Sequence, residues 1–301
     1  MTAKERSPIL IIGAGAMGRL WAGHLSRHAS VRLATRAVTD ATLRYTLVHV
    51  GGDSELIDIG PSGDASPGCV LVMTKAPDAE PALAAVSSHI PPDVPITLFQ
   101  NGMGSQQAIA RRFAQRPVFA ASTTEGAYID DDGRVLHAGR GTTWLGPLTI
   151  SAHALINTTM ATLRLSGLDV QSDPDIEGRL WQKLAINAGI NPFTAVLDCA
   201  NGEILGHPYF EERIGDVCRE VAALMRASGR PVEAATLEAQ VRDVARRTAA
   251  NSSSMRQDVR VGRHTEIDMM NGFVVQASVI HGLDAPVNRE LTDAVTHLKQ
   301  D

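Results

Sequence analysis

Cysteine is scarce: Cys69, Cys199 and Cys218 are the only three in 301 residues, an odd number at wide spacing. That argues against a disulfide framework and against a zinc site, and it fits a reducing cytoplasm. Long apolar runs are missing too, and none approaches the length needed to cross a bilayer. Strand-like sequence begins by about Pro8, which leaves no room for a signal peptide. There is no excess of basic charge. A formal charge of −5 gives no electrostatic reason to expect nucleic acid or an anionic membrane. Internal repeats and low-complexity tracts are absent. What remains is 44% hydrophobic and 20% charged, long enough for two domains of ordinary size. The expectation is a cytoplasmic globular protein with no metal among its ligands.

The first half is punctuated by glycine. Pro8 to Ile12 is an apolar run of strand length that runs into Gly13-Ala14-Gly15-Ala16-Met17-Gly18. A helical pattern follows to about Arg27, then a second strand over Val31–Thr35. Three glycines at this spacing are a weak signal alone. Between strand and helix they read as a dinucleotide-binding turn: Gly13 for the bend, Gly15 for close approach to a pyrophosphate, Gly18 for helix packing. The helix start would then face the phosphates with unpaired N–H groups.

At the end of the second strand stands Thr35-Arg36, with no carboxylate before Asp40. A carboxylate there would favour a free ribose, whereas a guanidinium matches an added phosphate, so NADP(H) is expected over NAD(H). A simply solvated arginine is the plainer alternative. Two further strands, Cys69–Met73 and Ile96–Gln100, deliver Lys75 and Asn101 at their exits. In an open parallel sheet such exits line the ligand crevice, although a surface lysine and an ordinary Asn-Gly turn read equally well. Short strands follow, with a hairpin at Asp132-Gly133, a helix over Ser151–Leu165 and a strand at Leu168–Val170. The expected boundary falls near Asp173, giving a Rossmann-type domain over 1–172 and an all-helical domain over 173–301, an α/β protein.

The second half turns on Leu180 to Pro192. It is apolar nearly all round, yet Lys183, Asn187 and Asn191 recur every fourth residue. Four residues advance a helix by roughly 400°, so the three side chains climb one face. Pro192 is expected to end the element. A buried lysine is costly unless a polar or charged group meets it, so the row suits a small polar ligand; a solvated stripe is the alternative. Helices are expected over Tyr209–Ala227 and Val232–Ala249. After Asn251, Ser254 and Gln257 stand at capping-box spacing, though a ligand carboxylate could use the same serine. His264 to Asp268 is read as opening the last major helix, with Thr265 and Asp268 again at capping spacing and Gly282 and Pro286 at its end. Glu266 in that first turn either complements the helix dipole or bonds a ligand near Lys183.

Together these pieces resemble the ketopantoate reductase (2-dehydropantoate 2-reductase) family. The resemblance rests on Gly13 to Gly18, Arg36, Lys75, Asn101 to Gly104, Trp181 to Asn187, Ile190 to Ala195, Asn201-Gly202-Glu203, Ser253 to Met255 and Arg263 to Asp268, in order along nearly the whole chain. It implies NADPH-dependent reduction of 2-dehydropantoate to D-pantoate, a step towards coenzyme A, with substrate in a cleft between the two domains. Lys183 would be the proton donor, with Glu266 where cofactor ribose and substrate meet. Asn187, Asn191, Asn201, Asn251 and Ser254 would contact the 2-keto acid. Gly13, Ala14, Gly15, Ala16, Met17, Gly18, Arg36, Lys75, Asn101 and Ala127, in the Thr123–Ala127 turn, would contact NADPH. A homodimer is compatible with this reading. Glu125 and Arg256 depart from the family pattern, which leaves the substrate's identity open. Reduction of another branched 2-keto acid to a D-2-hydroxy acid is one alternative, and a non-catalytic NADP(H) sensor is another.

Overall fold

Short aliphatic and β-branched runs build the first part of the protein. The computed structural model describes residues 7–35, 42–60 and 65–298. Eleven strands are seen among them: β1 Ile9–Ile12, β2 Val31–Ala34, β3 Leu43–Val48, β4 Ser54–Ile59, β5 Cys69–Val72, β6 Ile96–Leu98, β7 Val118–Thr123, β8 Gly126–Ile129, β9 Val135–Gly139, β10 Thr142–Pro147 and β11 Asp169–Ser172. Seven form one sheet in the order β11-β10-β7-β6-β5-β1-β2. All of its pairs are parallel except β7 with β10. A smaller sheet runs β4-β3-β9-β8, and its β8–β9 pair is the expected hairpin, turning at Gly133 with φ +77°. β3 and β4 were not anticipated from the sequence.

Alternation of side chains makes the large sheet a two-sided core. Ile11, Leu71 and Phe119 face Leu20, Trp21 and Leu25 of the helix Ala16–Ser26, a cluster that Leu47, Ile57 and Val135 of the small sheet also join. Ile12, Val70 and Val72 face the other way, onto Leu83 and Ile109. Each fully buried side chain of this kind contributes about 1.5–3 kcal/mol. The register sets Ile12 beside both Ala34 and Val72, and Val72 beside Leu98. Gly13, Thr35, Met73 and Phe99 therefore leave the sheet at one level.

The chain divides into two compact units, Met1–Gln100 with Ser105–Ile176, and Asn101–Gly104 with Glu177–Asp301. The second is helical, and the helix Ile176–Val196 runs through it for 21 residues. Here one sequence expectation fails: Pro192 lies inside that helix and does not end it. Proline removes the N–H that would have met the carbonyl of Ala188. The fully buried Asn271 supplies the missing donor, its Nδ2 reaching Ala188 O at 3.2 Å and Asn288 Oδ1 at 2.9 Å. Asn271→Ala should orphan that carbonyl at a cost of about 1–3 kcal/mol, read as a lower urea midpoint. In a Pro192→Ala background, where residue 192 again has an N–H, the same substitution should cost less. Equal costs in both backgrounds would show that Asn271 does not repair the helix.

Other boundaries differ for local reasons. The span expected over Tyr209–Ala227 is split into Pro208–Glu211 and Ile214–Ala227. The Ser151–Leu165 span is broken into Ile150–His153 and Ile156–Arg164. Ser253, not Ser254, caps the helix Ser254–Arg260, its hydroxyl accepting from Arg256 N at 3.1 Å. Thr265 makes no capping bond among the described residues: a 3₁₀ turn over Ile267–Met269 precedes the helix Asn271–Ile280. Pro286 opens a further helix, Pro286–His297, rather than marking an end. Its start is held by Glu220, whose carboxylate accepts from the backbone N–H groups of Val287 and Asn288 at 2.9 Å. No helix among the described residues is long and apolar enough to cross a membrane.

Candidate active site

The glycine turn in the first unit separates three different requirements. Gly13 has φ +108°, and a Cβ there would lie 2.8 Å from Thr74 N. A Cβ on Gly18 would lie 1.9 Å from Gly13 O. These two glycines are demanded by the protein's own packing. Gly15 is different: its φ is an ordinary −73° and a Cβ would meet nothing within 4 Å. Open space at the start of the helix Ala16–Ser26, where the amides of Ala16 and Met17 have no intrahelical acceptor, is what a bound phosphate would fill. Arg19 braces the turn by donating from Nε to Ala14 O at 2.9 Å.

The neighbouring exits are tied together by a residue that sequence reasoning passed over. Gln100 Nε2 donates to Val72 O at 2.9 Å and Thr74 O at 3.1 Å, while the backbone carbonyl of Gln100 accepts from Gln106 Nε2 at 2.9 Å. Buried glutamine needs such partners, and here they fix the segment that carries Lys75. Lys75 is half-buried and immediately precedes the helix Ala76–Val86. Ala127 lies in strand β8, paired with His137, and not in a turn. Arg36 lies outside the described residues.

In the second unit, Lys183, Asn187 and Asn191 stand on one uninterrupted helix, so the row continues past the point where Pro192 was expected to break it. Lys183 is half-buried. Burial brings its pKa down to about 8, and the carboxylate of Glu266 opposes that shift. Glu266 is itself 9% exposed and accepts from Asn101 Nδ2 at 3.3 Å. That contact depends on how Asn101–Gly104 meets the 3₁₀ turn: Met103 N donates to Met269 O at 3.0 Å. Gly102 has φ +77°, and a Cβ there would sit 2.0 Å from Met269 O. Amine, carboxylate and amide are thus brought into one polar group by segments far apart in sequence.

The other expected residues are gathered less completely. Asn191 is buried, with Nδ2 3.6 Å from Met270 Sδ. Asn187 makes no side-chain hydrogen bond among the described residues and is half-buried. Asn201 N meets Asn251 O at 2.9 Å, so those two segments are adjacent. Asn201 Nδ2 is bonded to Thr248, while its buried Oδ1 has no partner. Ser254 is exposed in the first turn of its helix. Behind it, Ser253 and Thr194 share a hydrogen bond of 2.7 Å that links this helix to the Lys183 helix. Arg256 is spent on Asp198, 2.9 Å from Nε to Oδ1, and that pair and Arg260 hold the Asp198 carboxyl below its ordinary range. Its charge is therefore already neutralised locally.

The chain is similar to known proteins over nearly its whole length. The family profile described as ketopantoate reductase PanE/ApbA matches residues 9–149, and its C-terminal counterpart matches 175–299. A protein named 2-dehydropantoate 2-reductase from Vibrio cholerae is 33% identical over 97% of this chain and 98% of its own. One of the same name from Archaeoglobus fulgidus is 32% identical over 95% and 96%. A crystal structure of a PanE/ApbA family ketopantoate reductase from Ralstonia eutropha superposes with a TM-score of 0.85 at 26% identity, covering 97% of this chain and 98% of that one. The fold is also similar to that of a D-mandelate dehydrogenase solved with NADH and anilino(oxo)acetate, with a TM-score of 0.88 at 22% identity over 97% and 98%.

Proposed function

The chain belongs to the ketopantoate reductase family, and from that premise we propose that it reduces 2-dehydropantoate to D-pantoate with NADPH. The observation that carries the mechanism is Lys183 on the same helix face as Asn187 and Asn191, with its pKa drawn to about 8. An amine in that range is still largely ammonium at neutral pH, yet gives up its proton far more readily than an exposed lysine. Lys183 donates to the keto oxygen, stabilises the negative charge that develops there and delivers the proton. Asn187 and Asn191 orient the polar groups of the substrate, and Asn201, Asn251 and Ser254 complete its contacts. Glu266, held by Asn101, moderates the loss of charge on Lys183.

The cofactor fits the residues present. Gly13, Ala14, Gly15, Ala16, Met17 and Gly18 would hold the pyrophosphate in the space left at Gly15, with Lys75, Asn101 and Ala127 as further contacts. NADPH, when bound, supplies the hydride that adds to the carbonyl carbon. Arg36 would pair with the 2′-phosphate. Arg36→Ala should weaken NADPH binding by on the order of tenfold while leaving NADH unchanged; equal losses would remove Arg36 from cofactor selection. The functional assignment is tested by NADPH oxidation over a panel of 2-keto acids. Turnover with 2-dehydropantoate should exceed that with 2-ketoisovalerate. The reverse order would identify a different branched keto acid as substrate, and no oxidation with any of them would leave only nucleotide binding.

A further inference from the structure

Away from the Lys183 group, the first unit holds a cluster that its proposed role does not use. His24 lies near the end of the helix Ala16–Ser26, about 12 Å along the axis from its first residue. His49 follows β3 and His137 belongs to β9. One ring nitrogen from each lies within 4.8 Å of one from each of the others. The rings pack edge to face, His24 with centroids 5.4 Å from His49 and 5.7 Å from His137. They border a cavity of about 570 Å³. We propose that His24, His49 and His137 form a three-imidazole site for a borderline divalent cation, Zn²⁺ being the best match, with the fourth position open to that cavity.

His24 and His137 each have one nitrogen anchored by an acceptor, which leaves the other to bind. His24 Nδ1 is 3.1 Å from Ser166 O. A carbonyl can only accept, so the hydrogen sits on Nδ1 and Nε2 carries the lone pair. His24 is 8% exposed, and its Nε2 is buried without a hydrogen-bond partner among the described residues. An orphaned buried acceptor is unfavourable, and a cation would satisfy it. His137 Nε2 meets Glu125 Oε2 at 2.7 Å, with both side chains almost completely buried. This carboxylate–imidazole pair leaves the Nδ1 lone pair of His137 to bind, the arrangement that orients imidazole ligands in metal sites. His49 Nε2 lies 3.0 Å from Glu55 Oε1, and the tautomer that donates to it leaves Nδ1 to bind.

Imidazole nitrogens select zinc-like cations over Mg²⁺ or Ca²⁺. In a tetrahedral site with bonds of about 2.0–2.1 Å the ligand nitrogens stand about 3.3 Å apart. The cluster therefore needs to contract by roughly 1.5 Å from its present span of 4.8 Å. His49 can provide this, because it is the partly exposed member and sits on the turn that contains Gly51 and Gly52, both at positive φ. Arg27 Nη2 lies 2.9 Å from His49 Nε2; in the tautomer that binds a cation Nε2 donates to Glu55, and the contact with Arg27 gives way to the Arg27–Glu55 pair. Glu125 finds its explanation here, as the partner of His137. The scarcity of cysteine, which argued against zinc, says nothing about a site made of imidazoles.

The test is calorimetric titration of ZnCl₂ into the full-length, tag-free protein after chelator treatment, with Co²⁺ spectroscopy alongside. One equivalent should bind with a dissociation constant at or below the micromolar range, and Co²⁺ should give the intense visible bands of a four-coordinate site. His24→Gln and His137→Gln should each weaken binding at least tenfold, and Glu125→Gln about 10–100-fold, the scale for a partner that orients a ligand. X-ray absorption of the zinc-loaded wild type, which needs no variant to fold, should show three imidazoles. Absence of binding below millimolar zinc, binding unchanged in both histidine variants, or a coordination shell without imidazole would each overturn the proposal.

Discussion

Lys183→Ala is expected to lower kcat by ~10²-fold or more, the usual scale for losing a general acid. The loss should fall on kcat more than on KM, because the ammonium does its work as charge builds on the keto oxygen rather than in the ground state. Asn187→Ala offers the contrast. It removes a neutral orienting group from the same helix face, so its effect should be smaller and shared with KM. Folding should survive both substitutions, since neither side chain belongs to the apolar core. Turnover in Lys183→Ala within a few-fold of wild type would remove the lysine from the proton transfer.

The second large effect separates two glycines three residues apart. Gly18→Ala places a methyl 1.9 Å from Gly13 O, a backbone atom that cannot retreat because Gly13 is already packed against Thr74. Overpacking typically costs about 1–3 kcal/mol and more where the backbone cannot yield, so a large fall in the thermal midpoint, or failure to fold, is expected. Gly15→Ala meets nothing among the described residues and should change stability by about 1 kcal/mol or less, the scale of a helix-cap substitution. It should nevertheless weaken NADPH by on the order of tenfold or more, because the methyl enters the space reserved for the pyrophosphate. Equal stability of the two variants would refute the packing account. Unimpaired NADPH binding by Gly15→Ala would refute the phosphate assignment.

The difference between those glycines was legible in the sequence because the whole motif is local: strand, turn and helix lie within thirty residues. The same is true of the Lys183, Asn187 and Asn191 row, which follows from helical period alone. What the sequence hid depends on partners brought from elsewhere. Pro192 reads as a terminator under any local rule, and only Asn271, 79 positions later, makes it tolerable inside a helix. Capping-box spacing to Gln257 favours Ser254 over Ser253 on paper. The bond from Thr194 and the geometry at Arg256 N make Ser253 the cap and leave Ser254 exposed. Glu266 was recognised as a candidate, but its hold on Asn101 rests on a loop docked to Met269, which no spacing reveals. The three histidines carry no periodicity at all; they meet only because β3, β9 and one helix share a core.

The central claim is that a half-buried ammonium at Lys183 supplies the proton. Its pKa, lowered from 10.5 to about 8 by burial, gives the claim a direction. Reduction needs the protonated amine, so raising the pH through that pKa removes the active form and the rate must fall. The most direct measurement is kcat/KM for 2-dehydropantoate with saturating NADPH from about pH 6 to about pH 10. A plateau with a descending limb centred near pH 8, losing about tenfold per further pH unit, is the predicted result. A plateau that persists to the ordinary lysine range near 10.5 would contradict it.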